Sequence, residues 1–468
     1  MANILIGSMA HKDSNGNVHI INFDTQEDQK PVIPPGPKPG TPGYGTGIYP
    51  GNDLEETLGL TPMEGYDDPS SDNYGNYQNS DGSVFCFIPK FYYSFDCKPE
   101  ETHYQDTLTY SGLSEDLLAQ IVTRSPHNYM AFAPGSAFEN EAEANEHGFI
   151  LHRAFIDGGQ EKTGFFIAKY LASRGTDGNS DKALFVKNGQ TVYLNDMKHT
   201  PSINMPNCSG TLKDAIILSK AINSNLNCAS AFMYSALAIQ SKFIGTIATS
   251  TSQCAWYDSN LITNFPKGCN NSSFSDFNDS SVRYTKRPNL DPEEDNIPLT
   301  GSGTPFAKTT HNGLNNGVCD LNGCAHQIVT GVGWAGTRIL DDNSKLIDIT
   351  TDNVDIQTTS LYAEYTEYSR DPQKKYWGNN LSSSWRKDVN SLSRALEGVF
   401  PVSASAGCSK NGTDEFGKDL CGTSTNSSAL QCSGGCDSMI IAGMFFRDYM
   451  SWSSGNTSVS FRAGGYAS

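Results

Sequence analysis

The chain has 468 residues, and 33 Lys and Arg against 51 Asp and Glu give a formal charge of −18. Charged residues reach only 18 %, below the usual ~25 %, and with 44 glycines the profile suits turn-rich β structure and excludes a coiled coil along most of the chain. The acidic balance speaks against nucleic-acid binding, which needs clustered Lys and Arg against phosphate, while the length leaves room for several domains with a sizeable core.

The first eight residues lack a basic start and a long apolar run, so no secretory signal is expected. The longest apolar stretches, such as residues 439–446, fall short of the ~18–20 residues that a span requires. No membrane insertion is expected. The twelve cysteines then read mainly as reduced thiols of a cytoplasm, with pairing after release left open. Residues 18–23 alternate apolar and polar and predict a strand. Residues 31–50 are dominated by Pro and Gly, which predicts a linker, and residues 51–80 continue acidic and turn-rich. A leader with so little apolar content cannot bury a core alone, so it is expected to dock onto something.

Residues 83–95, rich in aromatics, predict a strand that Pro89 demotes to an edge or bulge. A second strand is predicted over residues 164–173. Two helices follow. Residues 212–224 carry Leu212, Ala215, Ile216, Leu218, Ala221 and Ile222 mainly on one face, with Thr211 as N-cap. Residues 229–247 are apolar on most faces and predict a buried helix. From 248 onward short strands alternate with long polar loops, including the exposed stretch 270–281. The domain reading is an N-terminal docking segment at 1–30, a Pro/Gly-rich and acidic linker at 31–82, a β-rich first part at 83–200, and a second part with long loops at 201–468.

Motifs for chemistry are sparse. Cys408, Cys421, Cys432 and Cys436 offer one tight pair where structural zinc sites use two, so thiols in loops or core are expected and no metal. Cys319 and Cys324 read as core. No Gly-x-Ser-x-Gly elbow occurs, and Gly301-Ser-Gly-Thr-Pro305 lacks the rest of a phosphate loop. The carboxylates of residues 291–295 read as a solvated loop, and His311 and His326 as hydrogen-bonded structural groups.

Four segments, in order, resemble a known family. IPKFYY at 88–93 looks like a strand common in phage tail-fibre and related virion proteins. GFFIAKY at 164–170 resembles a strand of the same proteins and of the formylglycine-generating enzymes. Residues 311–326 resemble the family segment NGVYDLNGNVWEW, and residues 442–463 resemble the closing AGVF…IGFR element of phage proteins with a C-type-lectin fold, among them receptor binders of the major tropism determinant type. The resemblance implies an α+β, C-type-lectin-like fold, with a mixed sheet, two helices and long loops, preceded by an extended segment and the linker.

It further implies a virion protein, a tail or head fibre or appendage, made in the bacterial cytoplasm and carried on the virion surface. Such a fibre would be a homotrimer, bound to other virion proteins through its N-terminal segment and to a glycan or protein receptor of the bacterial surface through its C-terminal loops. The formylglycine-generating relatives hold copper on a pair of cysteines near the C-terminus, but residues 447–468 contain no cysteine; no enzyme activity and no cofactor are expected. The receptor candidates are Arg447, Asp448, Tyr449, Ser451, Trp452, Ser453, Ser454 and Asn456, with Tyr376, Trp377 and Trp385 in a second loop, because aromatic and Arg side chains anchor interfaces while Ser and Asn adapt their hydrogen bonds. Trp452 and Tyr449 packing the final hairpin is the bland alternative. The competing function is a structural capsid or tail decoration protein that packs against neighbouring virion subunits.

Overall fold

The computed structural model describes residues 8–12, 18–22, 36–94, 131–147, 149–157, 160–174, 183–192, 212–257, 259, 266, 282–286, 296–333, 429–435, 444, 447–450 and 459–467. The chain divides into two units, Met1–Pro34 and Pro35–Ser468. In the first, β1 (Ser8–Lys12) and β2 (Val18–Asn22) pair antiparallel, with Met9 opposite Ile21 and His11 opposite His19. The alternation read over residues 18–23 is thus a hairpin strand.

The second unit opens with α1 (Leu54–Leu58), β3 (Thr61–Pro62), β4 (Asn76–Gln78), β5 (Val84–Pro89) and β6 (Phe91–Ser94). Next come β7 (Ala131–Pro134), α2 (Glu141–Glu146), β8 (Ile150–Leu151), β9 (Ile156–Asp157), β10 (Gln160–Glu161) and β11 (Gly164–Ala168). Then β12 (Ser173–Arg174), β13 (Gln190–Thr191), α3 (Leu212–Ile222), β14 (Leu226–Cys228) and α4 (Ala231–Ile247). The remainder is β15 (Tyr284–Lys286), β16 (Asn296–Pro298), β17 (His326–Gly333), β18 (Ala429–Cys432), β19 (Arg447–Met450), β20 (Val459–Ser460) and β21 (Ala463–Gly465). The architecture is α+β.

Its centre is a six-stranded antiparallel sheet in the order β14-β21-β11-β5-β4-β3. Strand side chains alternate faces, and both faces here are apolar. Cys86, Ile88, Phe165 and Ile167 join Phe232, Leu237 and Phe243 of α4 in one core. Phe85, Phe87, Phe166 and Ala168 join Leu212, Ile216 and Leu218 of α3, with Leu54 and Leu58 of α1, in another. A sheet buried on both faces explains why β5 and β11 read as nearly continuous apolar runs. Helix α4 is capped by Ser230, whose hydroxyl accepts from Met233 N–H at 3.3 Å, and it is buried on almost every face.

Three expectations change. Residues 83–95 are two strands, not one: the chain breaks after Pro89, and β6 enters a separate three-stranded sheet, β7-β6-β8. Residues 36–82 belong to the body rather than to a linker running through 82, because β3 and β4 extend the central sheet and the 43–46 turn is stitched to it. Asn312 Nδ2 donates to Tyr44 O at 2.8 Å and Asn316 Nδ2 to Gly43 O at 3.2 Å. The division at 200/201 also dissolves, since β14 and β21 share a sheet with β5 and β11.

Gly75 illustrates how tightly this leader is seated. Its φ is +67°, and a Cβ there would lie 2.7 Å from both the N and the O of Gly47. A left-handed L-residue costs ~1–2 kcal/mol before any clash, so Gly75→Ala is expected to destabilise the body by about 2 kcal/mol or more. Thermal unfolding checks this; an unchanged melting temperature would return residues 36–82 to a linker.

Candidate functional site

A second, four-stranded sheet, in the order β19-β18-β17-β20, carries the C-terminal region. β17 pairs antiparallel with β18 and parallel with β20, and the β17–β18 register shifts between Ile328 and Gly333. Gly333 is the register partner of Ala429. The chain therefore leaves this sheet at one place and rejoins it beside the same place. These two register partners are 96 positions apart in the sequence, and residues 334–428 between them lie outside the described residues.

The frame is anchored by buried polar groups. Arg462, fully buried, donates from Nε to Gln327 Oε1 at 2.8 Å, from Nη1 to Ala168 O at 3.0 Å and Lys169 O at 2.9 Å, and from Nη2 to Cys319 O. Gln327 is held in turn, its Nε2 donating to Asp320 O at 2.9 Å and its Oε1 accepting from the Tyr234 hydroxyl. Asp320 takes a left-handed φ of +55°. Its Oδ2 accepts from Thr300 Oγ1 and Gly301 N–H, both at 2.7 Å, and the thiols of Cys319 and Cys324 approach its two oxygens at 3.3 and 3.5 Å. One guanidinium thus ties β11, the 319–327 segment and the chain just before β21 into a single rigid piece.

Lys169 is buried beside this network, donating from Nζ to Asn315 O at 2.7 Å. Desolvation lowers its pKa, because the charged form loses water that two carbonyls only partly replace. Burial pushes the Cys86 thiol up to about 12 and raises those of Cys228, Cys254 and Cys319 as well. None of these four carries the low-pKa thiolate that nucleophilic chemistry uses. Cys324 and Cys432 are buried and unbridged; Cys408, Cys421 and Cys436 lie outside the described residues.

The predicted receptor residues divide into two groups. Arg447, Asp448 and Tyr449 fall in β19, a strand at the edge of the four-stranded sheet, rather than in a loop; they stand opposite Cys432, Gln431 and Leu430. Ser451, Trp452, Ser453, Ser454 and Asn456, together with Tyr376, Trp377 and Trp385, lie outside the described residues, as do residues 270–281 and 291–295. The frame residues Arg462, Gln327 and Asp320 escaped the sequence reading. Asp320 and Arg462 lie in the two motif segments, 311–326 and 442–463, and Gln327 directly follows the first; the three interlock in the core.

No family model and no curated protein matches the chain.

Proposed function

We propose that the chain is a bacteriophage virion fibre or appendage protein, with a C-type-lectin-like body, that attaches to the bacterial surface through its C-terminal loops. The observation that carries this reading is that Gly333 and Ala429, joined in sequence only through residues 334–428, are register partners in a sheet whose frame is pinned by Arg462. Long connections between short, rigid strands are where binding function concentrates. The motif order supports the same fold, and the N-terminal hairpin, a unit of its own, is the segment that would dock onto other virion proteins. Three copies would multiply weak contacts by avidity, without any new contact. The protein then acts at the virion surface, with a glycan or protein as receptor.

Trp452 gives the test. As an exposed anchor, Trp452→Ala is expected to weaken cell adsorption by about 2 kcal/mol or more with an unchanged melting temperature. A large fall in melting temperature with adsorption intact would remove this segment from the receptor face and favour a decoration protein packed against other virion subunits.

A further inference from the structure

A cleft of about 260 Å³ opens beside β14, at the edge of the six-stranded sheet. Leu226 and Cys228 belong to one core, so strand alternation turns the intervening Asn227 to the opposite face, where it lines the cleft. Its register partner is Gly464, which brings no side chain into the space. Asn227 is 5 % exposed, and only its Oδ1 is used, accepting Cys228 N–H at 2.7 Å; its NH2 has no partner among the described residues. Burial without an acceptor is costly, so this NH2 marks a position for one. Ser230, 3 % exposed, also lines the cleft; its oxygen caps α4, and its hydroxyl proton has no acceptor among the described residues. The 17-residue helix α4 has no acidic residue in its first turn, so nothing within the helix offsets the positive end of its dipole. Lys162 lines the cleft as well and forms no ion pair among the described residues.

Three donor groups and a helix start therefore face one small space. They match an anion whose oxygens take several charge-assisted bonds at once. Charge decides which anion. One ammonium and a helix end worth about half a unit charge suit a single negative charge. Asp157 also lines the cleft; it is engaged in an interaction of its own, and its carboxylate repels a dianion such as phosphate more than a monoanion. The rest of the lining includes Met233, Gly464 and Ala467, which suit a hydrocarbon part. The volume is below the ~300–1,000 Å³ of sites for drug-sized ligands, which limits the occupant to a few carbons.

We propose that this cleft binds a short-chain monocarboxylate, with the carboxylate on Lys162, Asn227 and Ser230 at the start of α4 and the hydrocarbon part on Met233 and Ala467. The proposal uses none of the residues assigned to receptor attachment and stands or falls apart from it. Calorimetric titration of the full chain with sodium propionate, propionamide and sodium phosphate tests it. Propionate should bind at least about tenfold more tightly than its neutral isostere propionamide or than phosphate, the scale of one charge-assisted bond. Lys162→Ala should weaken propionate by about tenfold with an unchanged melting temperature. Ser230→Asp keeps a capping side chain for α4 but sets a carboxylate of the protein's own at the helix start, and should abolish binding. Acetyl-trialanine separates the sources: if it binds as propionate does, the carboxylate is the end of a peptide, and if propionate alone binds, it is a free acid. Propionamide or phosphate bound as tightly as propionate, no binding of propionate, or a Lys162→Ala variant that binds it unchanged would each overturn the proposal; if Ser230→Asp does not fold, Lys162→Ala decides.

Discussion

Arg462→Met is expected to cost about 3 kcal/mol or more, because several buried acceptors lose their donor together and each one left unsatisfied costs about 1–3 kcal/mol, and so to consume much of a typical folding free energy of ~5–15 kcal/mol. Methionine keeps the length of the stem and removes every donor. Gln327 Oε1 would retain only the Tyr234 hydroxyl, and the carbonyls of Ala168, Lys169 and Cys319 would lose the guanidinium that joins them. Unsatisfied buried acceptors carry their full desolvation cost, which is why deletion hurts more than the bond itself contributes. Arg462→Lys should recover only part of the loss, since an ammonium cannot reproduce the planar fork that reaches three strands of chain at once. Urea unfolding followed by circular dichroism reads the difference. A loss below about 1 kcal/mol for the methionine variant would mean that the network is not what holds the closing strand.

Acidification should weaken the body through His311. The ring is fully buried; Nδ1 accepts Val318 N–H at 3.0 Å, and Nε2 lies 3.2 Å from Gly45 O. That pairing suits the neutral imidazole with its proton on Nε2. Burial lowers the pKa from 6.5 to about 4, with Lys169 pushing in the same direction and the two backbone hydrogen bonds opposing it. Above pH 6.5 the ring is neutral in both the folded and unfolded chains and adds no pH dependence. Between 6.5 and 4 the unfolded chain binds the proton and the folded chain does not, so stability falls as pH falls. Over that window the loss sums to about 3 kcal/mol at ~1.4 kcal/mol per pH unit, and below pH 4 it levels off because both states are protonated. His311→Asn keeps an acceptor for Val318 N–H and has no proton to take up. The difference in stability between wild type and this variant, measured from pH 7 to 4, isolates the residue from carboxylates that titrate in both. A flat difference would show that His311 is not the group responsible.

The elements that could be read from the residues were those whose burial is written locally. GFFIA at 164–168 is an apolar run of strand length, and residues 231–247 are apolar around the whole helical circumference, so each announces its environment without reference to the rest of the chain. The 36–82 segment could not be read this way. Its Pro and Gly suggest looseness, yet Gly43, Gly45 and Gly75 supply positive φ angles for turns, and the amides that hold those turns arrive from Asn312, 268 residues after its partner Tyr44, and from Asn316. Local composition carries no trace of a partner so distant. Breakage at Pro89 is similar: the proline was visible, but the switch of β6 into another sheet depends on β7 and β8. For the candidate site, Asp320 and Arg462 lie inside the motif segments, but their roles in the assembled core were hidden. Phe461-Arg-Ala463 reads as a strand end, and only the assembled core shows that its arginine is the tie. Arg447, Asp448 and Tyr449 looked like loop residues because they are polar and sit beside Ser and Gly; pairing with β18 makes them strand.

The place of β21 in the central sheet bears on how the protein is made. Residues 463–465 lie between β14 and β11, so the sheet cannot close on a ribosome until they have emerged. Everything synthesised before then, β5 and β11 with their exposed aromatic faces included, must wait as an incomplete sheet with an open edge. Such waiting chains are slow to fold, because the last contacts span hundreds of residues, and they are the species that aggregate or recruit chaperones.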